Sequence, residues 1–141
     1  MLHFEVSLGP LFVVAVANFI LSWLYYSPVA PWFATWQKAV GVDPAKKEMT
    51  AEEKAMMPFQ FGGAFVATFV LAYGLQVVVH SMGVADALGG ALVGLVVWCT
   101  FALTHSLNTL FEGRKPVVLV INNGLYLVTY VGFGILVALW K

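Results

Sequence analysis

Four long apolar stretches, Leu8–Tyr26, Phe59–His80, Ala87–Phe111 and Val117–Trp140, run through this chain without a Lys, Arg, Asp or Glu between their ends. Each approaches or exceeds the ~20 residues that cover a ~30 Å hydrocarbon core as a helix. Charged residues make up 10% of the chain, where a soluble domain carries roughly 25%. The fold class that follows is all-α. We expect a single domain, residues 1–141, forming an integral membrane bundle of four transmembrane helices at about 8–26, 59–80, 87–111 and 117–140. A short interfacial helix is expected in the first cytoplasmic loop, 28–58.

Orientation follows from the loops. Lys38, Lys46, Lys47 and Lys54 lie between spans one and two, and Arg114 and Lys115 between spans three and four. Only Lys141 of the seven basic residues falls on the other side. The positive-inside bias puts loops one and three in the cytoplasm and both termini on the periplasmic or extracellular face. The first span lacks a basic n-region and a small-x-small cleavage site, so it is expected to stay as a span rather than be removed as a signal peptide. Cys99 is the single cysteine and lies mid-span, so it carries no disulfide framework. A formal net charge of zero argues against a nucleic-acid partner.

The departure from plain apolar sequence is concentrated around the very short turn Glu112-Gly113-Arg114-Lys115-Pro116. At 100° per residue, His105, Asn108, Thr109 and Glu112 share a narrow arc of span three. Asn122, Asn123, Tyr126, Thr129 and Tyr130 lie together on span four, and Asn18, Ser22 and Tyr25 line one face of span one. A turn this short makes spans three and four antiparallel neighbours, so all these arcs occupy the same half of the membrane. Polar groups in lipid are costly unless paired. The residues expected to line a polar pocket there are therefore Asn18, Ser22, Tyr25, His105, Asn108, Glu112, Asn122, Asn123 and Tyr126. Asn18, His105, Asn108, Asn122 and Tyr126 are expected to form one connected hydrogen-bonded group, and Glu112 to be held by Arg114 or by amides opening span four.

Elsewhere the pattern is structural. Pro28 and Pro31 stop span one, and Trp32, Phe33 and Trp36 share a face of a short interfacial helix. Thr50-Ala51-Glu52-Glu53 matches a capping box, opening a helix expected to end before Pro58. Gly63 and Ala67 in span two, and Gly90 and Gly94 in span three, form small-residue stripes of the kind that let helix backbones approach. Asp43, Glu48, Glu52 and Glu53 lack calcium-loop spacing, and no set of His and Cys suggests a bound metal. No catalytic triad or carboxylate pair is present, so neither an enzyme nor a cofactor is expected.

Asn18, Trp23-x-Tyr25-Tyr26-Ser27-Pro28, Trp32-x-x-x-Trp36, Phe111-Glu112-Gly113-Arg114 and Ile121-Asn122-x-Gly124-x-Tyr126 together carry a resemblance. In these features, which span nearly the whole length, the chain resembles the small four-span bacterial membrane proteins grouped as domain of unknown function 1761. The resemblance implies the four-span fold and a bacterial inner-membrane location, and it implies no activity.

Two function classes then compete. In one, the cytoplasm-facing pocket binds or passes a small solute, ion or lipid. The absence of a mid-span acidic residue weighs against proton-coupled cation export. In the other, the chain is a non-catalytic accessory or structural subunit, and its polar arcs merely fix helix order. The expected partners are the lipid bilayer and either further copies of the chain or a larger membrane complex.

Overall fold

The computed structural model describes residues 1, 3–43 and 48–140, so Lys46, Lys47 and Lys141, which enter the charge bias, lie outside the described residues. Five helices follow one another: α1 (Leu8–Tyr25), α2 (Phe33–Val40), α3 (Ala51–Ser81), α4 (Ala87–Phe111) and α5 (Pro116–Leu139). No strand interrupts them among the described residues. α1, α3, α4 and α5 are long and apolar enough to cross a membrane. The protein is thus an all-helical, multi-pass membrane protein, as its hydropathy pattern requires.

Contacts at the two ends establish an antiparallel arrangement. At one end the Trp140 ring lies against Gly9, and the His3 amide donates to Ser81 Oγ at 2.7 Å. At the other, the Tyr25 hydroxyl at the end of α1 donates to the Ile121 carbonyl near the start of α5. Helix α5 is the hub, touching α1, α2, α3 and α4. The end carrying both termini is filled by a dry core of Leu11, Val14, Leu75, Val79, Phe133 and Val137. In the same half Gln76 is fully buried, and neither of its amide atoms has a partner among the described residues.

The turn joining α4 to α5 is a fixed joint. Gly113 adopts a positive φ of 71° just past the helix end. Its amide donates to the Leu110 carbonyl and that of Arg114 to the Thr109 carbonyl, the paired bonds of a Schellman motif. Pro116 then opens α5 at its first position, where its missing N–H costs nothing. Arg114 Nε meets Glu112 Oε2 at 2.9 Å, with both side chains more than half exposed.

Helix α3 departs from expectation. The capping box is present, with Thr50 Oγ1 accepting from the Glu53 amide and Glu53 Oε2 from the Thr50 amide. Yet the helix does not end before Pro58. It continues for 31 residues, about 46 Å at ~1.5 Å per residue, well beyond a ~30 Å hydrocarbon core. Pro58 forfeits one helical hydrogen bond to Lys54. That position is exposed, so the freed carbonyl stays within reach of water. The seven residues Ala51–Met57 and Pro58 therefore extend the span rather than precede it.

The two glycine stripes fare differently. A side chain on Gly90 would meet the Gly134 backbone and the Ala138 side chain, and one on Gly94 would meet the Tyr130 and Val131 backbone. α4 and α5 are thus in backbone contact, the reason such pairs occur in membrane helices. Gly63, by contrast, has open space around it and Ala67 is exposed. The expected close packing at Gly63 and Ala67 has no counterpart among the described residues, because α1 meets α3 on the face of Thr68 rather than of these residues.

Gly94→Val should therefore force α4 from α5 and cost about 2 kcal/mol, the range of overpacking in a close-fitted core. Gly132→Val, where an added Cβ meets nothing within 4 Å, should change stability by no more than about 0.5 kcal/mol. Denaturation in detergent compares the two directly.

Candidate functional site

The polar residues of the half opposite the termini fall into three groups rather than one network. The first is a clasp at the end of α1. A helix C-terminus leaves carbonyls without helical partners, and here the Trp32 indole Nε1 donates to the Tyr25 carbonyl at 2.9 Å. Ser27 Oγ likewise donates to the Leu24 carbonyl, and the turn that follows contains Pro28. The rings of Tyr25 and Trp32 stand 4.4 Å apart, and those of Tyr26 and Trp36 4.8 Å. From this aromatic stack two hydroxyls reach α5: Tyr25 to the Ile121 carbonyl at 2.8 Å and Tyr26 to Asn122 Oδ1 at 2.7 Å. The short helix α2 is thus folded onto the bundle end and touches α5.

The second group joins α4 to α5. Asn123 Nδ2 donates to Ser106 Oγ, and the Trp98 indole donates to the Asn123 carbonyl. The His105 ring stacks on Phe101 and meets Tyr126 edge-on at 5.7 Å. Its Nε2 is buried without a hydrogen-bond partner among the described residues, as is Asn123 Oδ1.

The third group ties α1, α3 and α5 together about 10 Å inward from Tyr25, at ~1.5 Å per residue. Thr129 Oγ1 donates to Asn18 Oδ1 at 3.2 Å, Asn18 Nδ2 to Thr68 Oγ1 at 2.8 Å, and Thr68 in turn to the Ala64 carbonyl. Beside this relay lies a cavity of about 520 Å³ reaching from α1 and α3 across to Phe101 of α4 and to α5. Its polar lining is Asn18, Ser22, Tyr26, Thr68, Tyr126, Thr129 and Tyr130, and no charged residue contributes. A depression of about 560 Å³ on the outer surface of α4 and α5 is lined wholly by Gly, Ala and aliphatic side chains, as a lipid-facing groove is.

Of the nine expected pocket residues, Asn18, Ser22 and Tyr126 line the cavity. Tyr25 and Asn122 belong to the clasp, and His105 and Asn123 to the α4–α5 seam. The single connected group is corrected: Asn108 is exposed and has no side-chain partner among the described residues. Glu112 is held by Arg114, one of its two expected partners, but in an exposed ion pair outside the cavity. The cause is helix crossing. Buried positions on α4 are Gly90, Val93 and Gly94 toward its start and Ala102 and Thr109 toward its end, a drift of about 100° around the helix. By the level of Asn108, the arc drawn from spacing alone has turned away from α5. Thr68 and Tyr26 were not among the expected pocket residues. Thr68 lies in an apolar stretch, and Tyr26 reads as an interfacial aromatic, so neither stands out by polarity or period.

This architecture defines a small multi-pass membrane protein with an uncharged polar cavity in one half of its bundle. The chain belongs to the family described as "Protein of unknown function (DUF1761)", whose model matches residues 10–138. No curated protein and no solved structure matches it significantly.

Gly124 shows why a glycine follows Asn122 in the clasp: a Cβ there would lie 2.7 Å from the Tyr25 hydroxyl. Gly124→Ala must push that hydroxyl off the Ile121 carbonyl. Tyr25→Phe and Gly124→Ala should each cost about 1 kcal/mol, the worth of a typical hydrogen bond. The double variant should cost little more than either alone. Fully additive losses in a double-mutant cycle would mean the two residues act separately.

Proposed function

We propose that this protein holds a small uncharged molecule in the cavity between α1, α3 and α5 and does no chemistry on it. The observation that carries the reading is a set of three hydroxyls. Ser22, Tyr126 and Tyr130 all line the cavity, and none makes a hydrogen bond within the described chain. A hydroxyl inside a membrane bundle ordinarily finds a partner, since leaving one unmade is expensive. A ligand offering acceptors or donors supplies it. The volume falls within the ~300–1,000 Å³ of small-molecule sites. A lining without charge selects against ions, because no group there offsets the loss of their hydration.

Two further features support retention over reaction or passage. The lining holds no carboxylate, imidazole, amine or thiol, so it offers no acid–base pair and no activated nucleophile. The half toward the termini is the dry core of Leu11, Val14, Phe133 and Val137, which a solute crossing the bilayer would have to part. Ala67 lines the cavity from α3 and is itself exposed, so Ala67→Phe should fill the space without disturbing the core. Native mass spectrometry of protein released from native-lipid nanodiscs should show a small-molecule adduct on the wild type and none on the variant. Identical spectra would remove the reading, and a stoichiometric protein partner would favour an accessory subunit instead.

In keeping with the basic residues of loops one and three, the cavity half is placed toward the cytoplasm of a bacterial inner membrane, with both termini outside. Cysteines at Lys54 and Ala85 in a Cys99→Ala background test this. A membrane-impermeant maleimide applied to intact cells should label position 85 and spare position 54. The reverse pattern would invert the topology.

A further inference from the structure

The cavity does not end at the bundle interior. A second chamber of about 300 Å³ adjoins it, and Asn18, Ser22, Tyr26, Ala64 and Thr68 line both. The second chamber is completed by Phe19, Trp23 and Phe61. These three rings are exposed on the outer surface of α1 and α3, where a membrane protein meets acyl chains. Phe19 and Phe61 approach each other at 5.6 Å across the gap between the two helices. The two spaces thus share one wall of α1 and α3, with lipid-exposed rings bounding the smaller and the hydroxyls of Ser22, Tyr126 and Tyr130 lining the larger.

We propose that the ligand is a neutral amphiphile drawn from the bilayer, entering sideways between α1 and α3. Its uncharged, oxygen-bearing head sits on the hydroxyls, and its tail leaves through the Phe19–Trp23–Phe61 chamber. This rests on the reading of the cavity as a binding site and adds the ligand's class and its route. Charge selects the head: neither chamber contains a basic residue to offset a phosphate or an acid to offset an amine. Shape selects the tail, since one end of the space is polar and the other is bounded by three aromatic rings opening on lipid. A fully water-soluble polyol would gain nothing from that chamber.

The test uses the full chain in phosphatidylcholine nanodiscs and 1-oleoylglycerol with a photoactivatable diazirine in its tail. Labelling should saturate and should map to peptides containing Phe19–Trp23 and Phe61. Excess unlabelled 1-oleoylglycerol should abolish it, while oleoyl lysophosphatidic acid should compete about tenfold less well, the loss of roughly 1.4 kcal/mol. Ala64→Phe, which closes the passage shared by both chambers, should remove the saturable labelling. Phe61→Ala removes an exposed ring whose aromatic contact is with Phe19 at the chamber itself, and it leaves the buried core intact. It should weaken labelling about threefold or more. Displacement by millimolar glycerol would overturn the lateral route and leave a site for a soluble solute. Non-saturating label spread over the lipid-facing surface of all four long helices, unchanged in Ala64→Phe, would overturn the amphiphile while leaving the adduct measurement on Ala67→Phe to judge the cavity. Competition by the lysophosphatidic acid equal to that of the neutral lipid would overturn the selection by charge.

Discussion

The bundle depends on backbone contact between α4 and α5. In lipid there is no hydrophobic gain from bringing two apolar helices together, so association must come from van der Waals fit and buried polar bonds. Gly90 and Gly94 on one helix and Gly134 on the other remove the side chains that would hold them apart. The turn through Gly113 and Pro116 sets the pair antiparallel. α4 then leans almost wholly on α5 and makes only slight contact with α3. That asymmetry leaves α5 to receive α1, α2 and α3 on its remaining faces, and it leaves space between α4 and the α1–α3 pair.

What holds α1 and α3 in place differs between the two halves. Toward the termini, Leu11, Val14, Leu75 and Val79 interlock with Phe133 and Val137. Toward the loops, packing gives way to discrete hydrogen bonds: Tyr25 and Tyr26 to α5, and Asn18 to Thr68 and Thr129. A few directed bonds fix helix spacing at chosen points without filling the volume between them. The cavity lies where the structure is held by such bonds and by the aromatic clasp. Gln76 is the one polar residue of the dry half that this scheme does not explain; nothing among the described residues accounts for its unpartnered amide.

The spans were legible because hydrocarbon imposes a length and forbids charge, two properties visible without any packing information. The boundaries of α1, α4 and α5 accordingly agree with the expected ones to within about a residue. Pro58 misled because a proline inside a helix costs one bond, and an exposed position bears that cost. The site was only partly legible. Spacing at 100° per residue marks which residues share a face, but not which neighbour that face meets once helices cross. Asn108 and Glu112 share the arc of His105 and yet lie outside. Thr68 joins the relay because α3 turns it toward Asn18, a fact of tertiary packing with no trace in local sequence.

The same reasoning explains why the features that carry the resemblance in the sequence, Tyr25-Tyr26-Ser27-Pro28, Trp32-x-x-x-Trp36 and Ile121-Asn122-x-Gly124, need not themselves be the site. Each is accounted for by the clasp: Trp32 satisfies the Tyr25 carbonyl, Trp36 supports the Tyr26 ring, Asn122 accepts from Tyr26, and Gly124 makes room for the Tyr25 hydroxyl. Tyr26 is the link between clasp and cavity, since its ring also lines both chambers. Its bond to Asn122 fixes the end of α1 against α5 at the mouth of the space. If α1 were free to settle inward, Ser22 could find partners on α5 and the hydroxyls would be satisfied internally. Held by the clasp at its end and by the Asn18 relay further in, it cannot do so. In the proposed reading the motif then serves binding at one remove, by keeping three hydroxyls apart and unpartnered.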